Sequence, residues 1–492
     1  MIDFKMLIGG DERIAAGEGW IDSVNPFTGK VWARIPRGQE RDAIAAVEAA
    51  AAAMENPAWT NITASQRGAL LRKVGDLIHD NAERLADLEV HDNGKLKAEM
   101  LGQLRYLPQH YYYYGGLADK IEGAVIPSDK AGMFTHTVYE PLGVVVAITP
   151  WNSPLLLTTW KLAPALAAGN AVVIKPSEHA SVSMIEFVKL FLEAGFPPGV
   201  VNVVTGYGNE CGAALVEHPK VAKVAFTGGD AGGKAVYQAA AKTLKHVTLE
   251  LGGKSPNIVC EDADITQAVK GAVSGIFAAT GQTCMAGSRL LVHEARHDEF
   301  VAALRAFVAD AKMGDPMALD TQIGPVATLP QYEKVLDYVA IATAEGATLA
   351  HGGKPYRGSG CENGWFVEPT ILTDVTNSMR VAREEIFGPV LSIIRFKDDD
   401  EAIAIANDTP YGLAAGVWTN DLTRAFRYTK ALKAGTVWVN AYRVVSYAVP
   451  FGGFKQSGIG RENGQEMIKE YLQTKSVYIN LEKDVPNPFV LR

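Results

Sequence analysis

The chain has 492 residues, 48% of them hydrophobic and 21% charged, the composition of a folded globular protein of two or three domains. Forty-seven basic against fifty-five acidic residues leave a net charge of −8, which excludes a chain built around a basic nucleic-acid surface. Glycine is the one excess, at 48 residues outside any collagen period or low-complexity tract, so it marks particular loops.

The segment MIDFKMLIGGDERI mixes acids and bases and lacks the apolar stretch of a signal peptide, and no run reaches the ~18 apolar residues of a membrane span. Four cysteines, Cys211, Cys260, Cys284 and Cys361, contain no CxxC pair and make no disulfide framework. A reduced, cytoplasmic protein without a membrane partner is expected.

In chain order, Arg41 to Met54 reads as an amphipathic helix, and helical pattern continues from Ser65 to about Tyr114. The tyrosine run Tyr111–Tyr114 lacks interleaved basic residues, so it is read as packing rather than as a stacking platform for nucleic acid. From Tyr139 short β-branched strands alternate with helices. Strands are expected at Val144–Ile148, Ala171–Ile174, Val200–Val204, Val221–Phe226 and Val247–Glu250. Helices are expected at Pro154–Ala168, Ser181–Ala194, Asn209–Glu217 and Ala231–Leu244. Repeated β-α-β units with apolar strands predict an α/β fold with a parallel sheet covered on both faces, and ligands at the carboxyl ends of its strands. A second alternating series begins near Asn257, with helix Ile265–Thr280, strand Arg289–His293, helices Asp298–Asp310 and Gln331–Glu345, and strands near Phe366–Leu372 and Val390–Phe396.

Three local motifs carry chemistry on paper. His293-Glu-Ala-Arg-His297 fits HExxH, but the preceding residues read as a strand and the helix starts near Asp298. The two imidazoles then straddle a turn and share no helix face, so no metal is expected. Gly228-Gly-Asp-Ala-Gly-Gly233-Lys234-Ala235 approaches the P-loop pattern, yet Ala235 stands where a hydroxyl would hold Mg²⁺. What remains is a glycine-lined anion site at a helix N-terminus, suited to a dinucleotide pyrophosphate. Cys284 lies in Gly281-Gln-Thr-Cys-Met-Ala-Gly287, a sterically open loop that suits a structural thiol and a nucleophile equally.

Seven blocks stand in order: Pro150-Trp-Asn-Ser-Pro154, Lys175-Pro-Ser-Glu178, Phe226-Thr-Gly-Gly229, Leu249-Glu-Leu-Gly-Gly253, Gly281-Gln-Thr-Cys284, Glu384-Glu-Ile-Phe-Gly-Pro389 and Pro450-Phe-Gly-Gly-Phe-Lys455. Together they resemble the NAD(P)-dependent aldehyde dehydrogenase superfamily over essentially the whole chain. The resemblance implies a Rossmann-type cofactor domain (1–121 and 142–250), an α/β catalytic domain (251–473) and a small β oligomerisation arm (122–141 and 474–492). It also implies a homodimer or homotetramer acting on a small-molecule aldehyde.

The roles implied by the resemblance are as follows. Cys284 attacks the aldehyde carbonyl, and Asn152 with the Cys284 backbone N–H holds the oxyanion. Glu250 activates water, and Lys161 serves proton transfer. An open loop near dipoles is expected to lower the Cys284 pKa. NAD is expected against Trp151, Lys175, Ser177, Glu178, Gly208, Phe226, Thr227, Gly228, Gly229, Gly233, Leu251, Gly252, Glu385 and Phe387. The Glu178 carboxylate accepts from ribose hydroxyls and repels a 2′-phosphate, which favours NAD over NADP. The substrate pocket is expected from Ser153, Leu157, Trp160, Phe277, Thr283, Met285, Arg443, Val445 and Phe451. Ser153 stands where many relatives place a large aromatic, and Arg443 would meet either an anionic tail or solvent. Gln473 stands where several relatives have a second glutamate in the proton path, and Glu250 argues against a CoA-acylating branch. An ATP-hydrolysing protein and a non-catalytic binding protein are the competing readings, and the intact trio of Cys284, Glu250 and Asn152 weighs against the second.

Overall fold

A computed structural model describes residues 1–358, 360–485 and 488–489. An eight-stranded sheet has the order Gly458–Ile459, His246–Glu250, Val221–Thr227, Val144–Thr149, Ala171–Pro176, Val201–Val203, Met6–Ile8 and Asp11–Arg13. The strands from His246–Glu250 to Val201–Val203 are parallel, and antiparallel partners flank them on both sides. Runs such as Val144-Val-Val-Ala-Ile-Thr149 are apolar throughout because helices cover both faces. The strand order reverses between Val144–Thr149 and Val221–Thr227, so the loops after these two strands diverge and open a crevice. Those loops carry Trp151, Asn152 and Ser153 on one side and Gly228 and Gly229 on the other.

A seven-stranded sheet follows, ordered Thr348–His351, Thr370–Thr373, Val390–Phe396, Arg289–His293, Pro256–Val259, Ala414–Trp418 and Thr436–Val439. All its pairings are parallel except that of Thr348–His351. Alternate residues feed two cores: Ile258, Leu291 and Ile394 enter one, while Val259, Leu290 and Ile393 enter the other. These two α/β layers and their parallel strands are the expected fold class.

Tyr111 and Tyr114 are buried on the helix Pro108–Leu117, where Tyr114 Oη donates to the Gly464 carbonyl at 2.9 Å. The run is therefore packing. His293 ends a strand and His297 opens a helix; the first ring faces Glu261 and Phe396, the second Asp298.

Local departures from expectation have physical causes. The helix expected to reach Thr280 ends at Ile276, because Ala279 (φ 53°), Thr280 (φ 55°) and Gly281 (φ 71°) turn left-handed. The strand expected from Phe366 begins only at Thr370. The helix after Tyr207 opens with a π turn, Gly208–Gly212. The two segments expected to form one arm, 122–141 and 474–492, meet in the antiparallel pairing of strands Met133–Pro141 and Leu472–Asn480. Met133–Pro141 is the centre of that three-stranded sheet, so among the described residues Leu472–Asn480 and Val125–Ile126 are its edge strands. The end of the expected arm segment, 486–487 and 490–492, lies outside the described residues. No helix among the described residues is long and apolar enough to cross a membrane.

Candidate active site

The left-handed turn before Cys284 sets the nucleophile loop. A Cβ on Gly281 would lie 2.1 Å from the Gly388 carbonyl oxygen, so only glycine lets the two loops touch. Gln282 is buried, and its Oε1 accepts from the Ala327 N–H at 2.9 Å. Cys284 is half-buried against Leu157, Trp160, Met285, Val445 and Phe451. Burial, then the charges of Glu250 and Glu385, push its thiol up to about 12, against the pull of the backbone N–H groups of Met285 and Cys284. This corrects the expectation of a lowered pKa: burial beside two carboxylates outweighs the backbone dipoles.

Asn152 sits between strand Val144–Thr149 and helix Pro154–Ala167, whose Pro154 starts the helix directly after it. Its Nδ2 donates to the Gln282 carbonyl at 2.9 Å, which leaves the second amide hydrogen for another acceptor. Ser153 is buried, and its Oγ accepts from Lys95 Nζ at 2.7 Å. The small residue thus seats a buried ammonium that nothing in the sequence pattern announces.

Glu250 ends the strand His246–Glu250. Burial first, then Glu462, hold its carboxyl well above the usual range. A Cβ on Gly452 would lie 2.7 Å from Glu250 Oε1, so the backbone of that loop packs directly on the carboxylate. Lys161 donates to Thr227 Oγ1 and to Glu462 Oε1, both at 2.7 Å, in an ion pair only 1% exposed on either side. The second acid of the site is therefore Glu462. Gln473 lies exposed on the arm strand, donating to the Pro141 carbonyl at 3.3 Å. The glycines around Glu462, Gly458 to Gly464, were the available signal.

A cleft of about 660 Å³ is lined by Trp151, Asn152, Thr227, Gly228, Gly229, Glu250, Leu251, Gly252, Cys284, Glu385 and Phe387, together with Pro150, Leu157, Gln331 and Lys334. The predicted Cys284, Glu250 and Asn152 share this one cavity. Trp151 meets Phe387 edge-on at 5.3 Å. Glu385 accepts from the Gly253 N–H at 3.0 Å, and burial raises its carboxyl to about 7. Gln331 and Lys334, missed in the sequence, lie on helix Leu329–Ala344. Gln331 donates to the Ile386 and Phe387 carbonyls at 2.7 and 2.9 Å, and Lys334 to that of Glu385 at 2.9 Å, so they hold that loop.

The glycine loop suits a phosphate-bearing ligand. Helix Asp230–Ala241 starts at Gly229, whose side uses no side-chain cap, and a Cβ there would meet nothing within 4 Å. Phe226 does not face the cleft; its ring lies under the loop, 2.7 Å from where a Gly228 Cβ would stand. Gly233 is equally internal, with Leu251 at 2.4 Å from a Cβ. Lys175 lies near the end of the adjacent strand Ala171–Pro176 and Ser177 and Glu178 follow it, Lys175 Nζ lying 3.5 Å from Glu178 Oε2. Gly208 opens the neighbouring π turn.

On the other side of Cys284, Leu157, Trp160, Met285, Val445 and Phe451 form the apolar cluster. Thr283 is buried, and Phe277 is packed in a core of the second sheet, against which Met285 also packs. Arg443 (φ 64°) donates to the Ser274 carbonyl at 3.3 Å and lies 3.9 Å from Glu99, so its charge already has a protein counterpart.

The profile of the Aldehyde dehydrogenase family matches residues 14–477. The chain is 48% identical over 495 residues, covering all of both proteins, to the (Z)-2-((N-methylformamido)methylene)-5-hydroxybutyrolactone dehydrogenase of Acinetobacter baylyi. It is 44% identical over 467 residues, 95% of each chain, to the betaine aldehyde dehydrogenase of Brucella anthropi. Among solved structures, the Staphylococcus aureus betaine aldehyde dehydrogenase in complex with NAD⁺ superposes with a TM-score of 0.97 at 40% identity, covering 99% of this chain and 97% of that one. The NAD⁺ complex of the Bacillus cereus aldehyde dehydrogenase gives 0.95 at 44% identity over 98% and 97%.

Proposed function

The chain belongs to the aldehyde dehydrogenase family, and from that premise we propose that it oxidises an aldehyde to the carboxylic acid with NAD, using Cys284 as nucleophile and Glu250 as base. The observation that carries the reading is the convergence of Asn152, Glu250 and Cys284 on the cleft that Gly229, Glu385 and Phe387 also line.

Cys284 loses its thiol proton to water as Sγ adds to the aldehyde carbon, the Asn152 amide and the Cys284 N–H stabilise the oxyanion, and collapse of that adduct releases the hydride and leaves a thioester. NAD, when bound, supplies the hydride acceptor, with Gly228, Gly229 and the first turn of Asp230–Ala241 at its phosphates, Lys175 and Glu178 at the adenosine ribose, and Glu385 at the second ribose. Glu250, its carboxyl raised by burial, takes a proton from the water that attacks the thioester. Cys284 then leaves as thiolate and the acid departs. The apolar cluster around Leu157 and Phe451 accepts the substrate's carbon chain, and an anionic tail would have to displace Glu99 from Arg443.

The cofactor role belongs to the first sheet and its helices (1–121 and 142–250), the catalytic role to 251–473, and subunit pairing to 122–141 and 474–492. The open edge of Leu472–Asn480, with exposed Tyr478 and Ile479, supports a homodimer or homotetramer. Four free thiols suit a cytoplasmic setting.

The test is NADH formation by the purified protein with NAD and a panel of aldehydes. Turnover is expected in the unmodified protein and none in Cys284→Ala, while Glu250→Gln is expected to form an acyl-enzyme that hydrolyses slowly. Full turnover by Cys284→Ala would refute the reading.

A further inference from the structure

Lys95 is a buried cation without an ion pair. It is 4% exposed, and among the described residues its ammonium makes one hydrogen bond, to Ser153 Oγ at 2.7 Å. An ammonium carries three hydrogens, so two are left over. A buried charge in this state is costly unless something arrives to meet it.

The chain is shaped to put it there. Helix Ala82–Asn93 ends at Gly94 (φ 72°), where a Cβ would stand 2.7 Å from Pro325 Cγ, so glycine permits the turn. Asn93 then ties two loops together. Its Oδ1 accepts from the Lys95 N–H at 3.0 Å, and its Nδ2 donates to the Trp151 carbonyl at 3.2 Å. The ammonium is thereby carried to the loop that holds Asn152.

Ser153 faces the reacting sulfur's surroundings. It stands at the start of helix Pro154–Ala167, and Leu157 and Trp160 follow at helical spacing on the same face. Both belong to the apolar cluster against which Cys284 packs. Ser153 Oγ accepts from Lys95, and among the described residues its own hydrogen has no acceptor. Trp160 Nε1 and Thr283 Oγ1 are likewise buried without a partner. An apolar pocket thus keeps several donors unused.

The charges nearby are unbalanced. Those that act on Lys95 are Glu99, Arg443, Glu89 and Cys284, so the ammonium is within electrostatic reach of the nucleophile. Glu99 lies 3.9 Å from Arg443 and is answered by it. Burial raises the Glu89 carboxyl far enough that it keeps its proton near neutrality. Two cations then share one carboxylate, and Lys95 is the one left over.

Resting on the reading of this cleft as an aldehyde site, we infer that the substrate is a short aldehyde with a carboxylate on its tail, received by the Ser153 hydroxyl and the Lys95 ammonium behind it. Asn152 holds the aldehyde oxygen and the next residue holds the far end. Consecutive Cα atoms stand about 3.8 Å apart, which suits a tail of a few carbons. A plain alkyl aldehyde leaves these buried donors unanswered, the kind of mismatch that discriminates strongly.

The test compares 4-oxobutanoate, its methyl ester and butanal as substrates with NAD, read as NADH formation. For the unmodified protein, kcat/KM should be at least about tenfold higher for 4-oxobutanoate than for either neutral aldehyde. In Lys95→Met that ratio should fall about tenfold or more, and in Ser153→Ala severalfold, with KM carrying the change. A ratio is insensitive to loss of folded protein, and if Lys95→Met does not fold, Ser153→Ala decides. Equal kcat/KM for the acid and its ester in the unmodified protein would overturn the inference, as would a ratio that either folded variant leaves unchanged. If none of the three aldehydes yields NADH with the unmodified protein, the aldehyde reading of the cleft fails instead.

Discussion

The Asn152 side-chain amide donates to the backbone carbonyl of Gln282, two residues before the nucleophile, at 2.9 Å. The loop of the first sheet and the loop of the second are thereby fixed to each other across the cleft, with one amide hydrogen spare. Asn152→Ala should lower kcat and kcat/KM together by about 10²–10³, the usual cost of one oxyanion donor. Steady-state kinetics with NAD and propanal check this, and a change confined to KM would assign Asn152 to binding alone.

The Cys284 thiol is pushed up to about 12 by burial, Glu250 and Glu385. Iodoacetamide alkylation of the protein without cofactor should therefore accelerate about tenfold per pH unit between pH ~7 and ~10, without a plateau. Glu250→Gln removes one of the opposing charges and should speed alkylation towards the upper end of that range, where the raised carboxyl is ionised. A plateau below pH ~8 in the unmodified protein would contradict the electrostatics.

Glu178 lies 3.5 Å from Lys175 and is partly exposed at the end of the adjacent strand. Glu178→Ala should reduce kcat/KM for NAD roughly ten- to a hundredfold, the scale of charge-assisted hydrogen bonds, and narrow the preference over NADP. Equal kcat/KM for the two cofactors in the unmodified protein would remove Glu178 as the discriminator.

His110 is buried between the edges of Tyr106 and Tyr447, and burial lowers its pKa from 6.5 to about 4. The folded state therefore refuses a proton that the unfolded state accepts. Stability is full above pH ~6.5 and is lost as pH falls towards ~4, by at most about 3 kcal/mol. His110→Phe should flatten this part of the acid limb in denaturant titrations at stepped pH. An unchanged acid limb would show that other groups govern it.

The parallel sheets were legible because strands buried on both faces are written as unbroken apolar runs, as in Val144–Thr149. The loops that meet at the cleft were legible because their polar residues stand beside glycines. Residues whose environment comes from distant chain were not. Glu462 meets Lys161 across 301 residues, and Lys95 reaches Ser153 from another helix region, so no local spacing could reveal either. The direction of the Cys284 shift was misjudged for the same reason: an open-looking loop in sequence is lined in space by Leu157, Trp160 and Phe451. The register of Met133–Pro141 with Leu472–Asn480 was not legible, because local pattern marks a strand and not its partner.

The return of the chain to the first sheet has a consequence for biosynthesis. Met467, Ile468, Tyr471 and Leu472 complete a core that Met6, Leu7 and Ile8 begin, whereas the cores of the second sheet draw on the continuous stretch from Ile258 to Tyr442. On the ribosome the second sheet can close as an unbroken unit, while the first waits, unsealed, for residues translated more than two hundred positions after its last central strand, His246–Glu250. The nascent first half is thus the part exposed longest to chaperones and proteases, and the Lys161–Glu462 pair forms only in its final step of assembly.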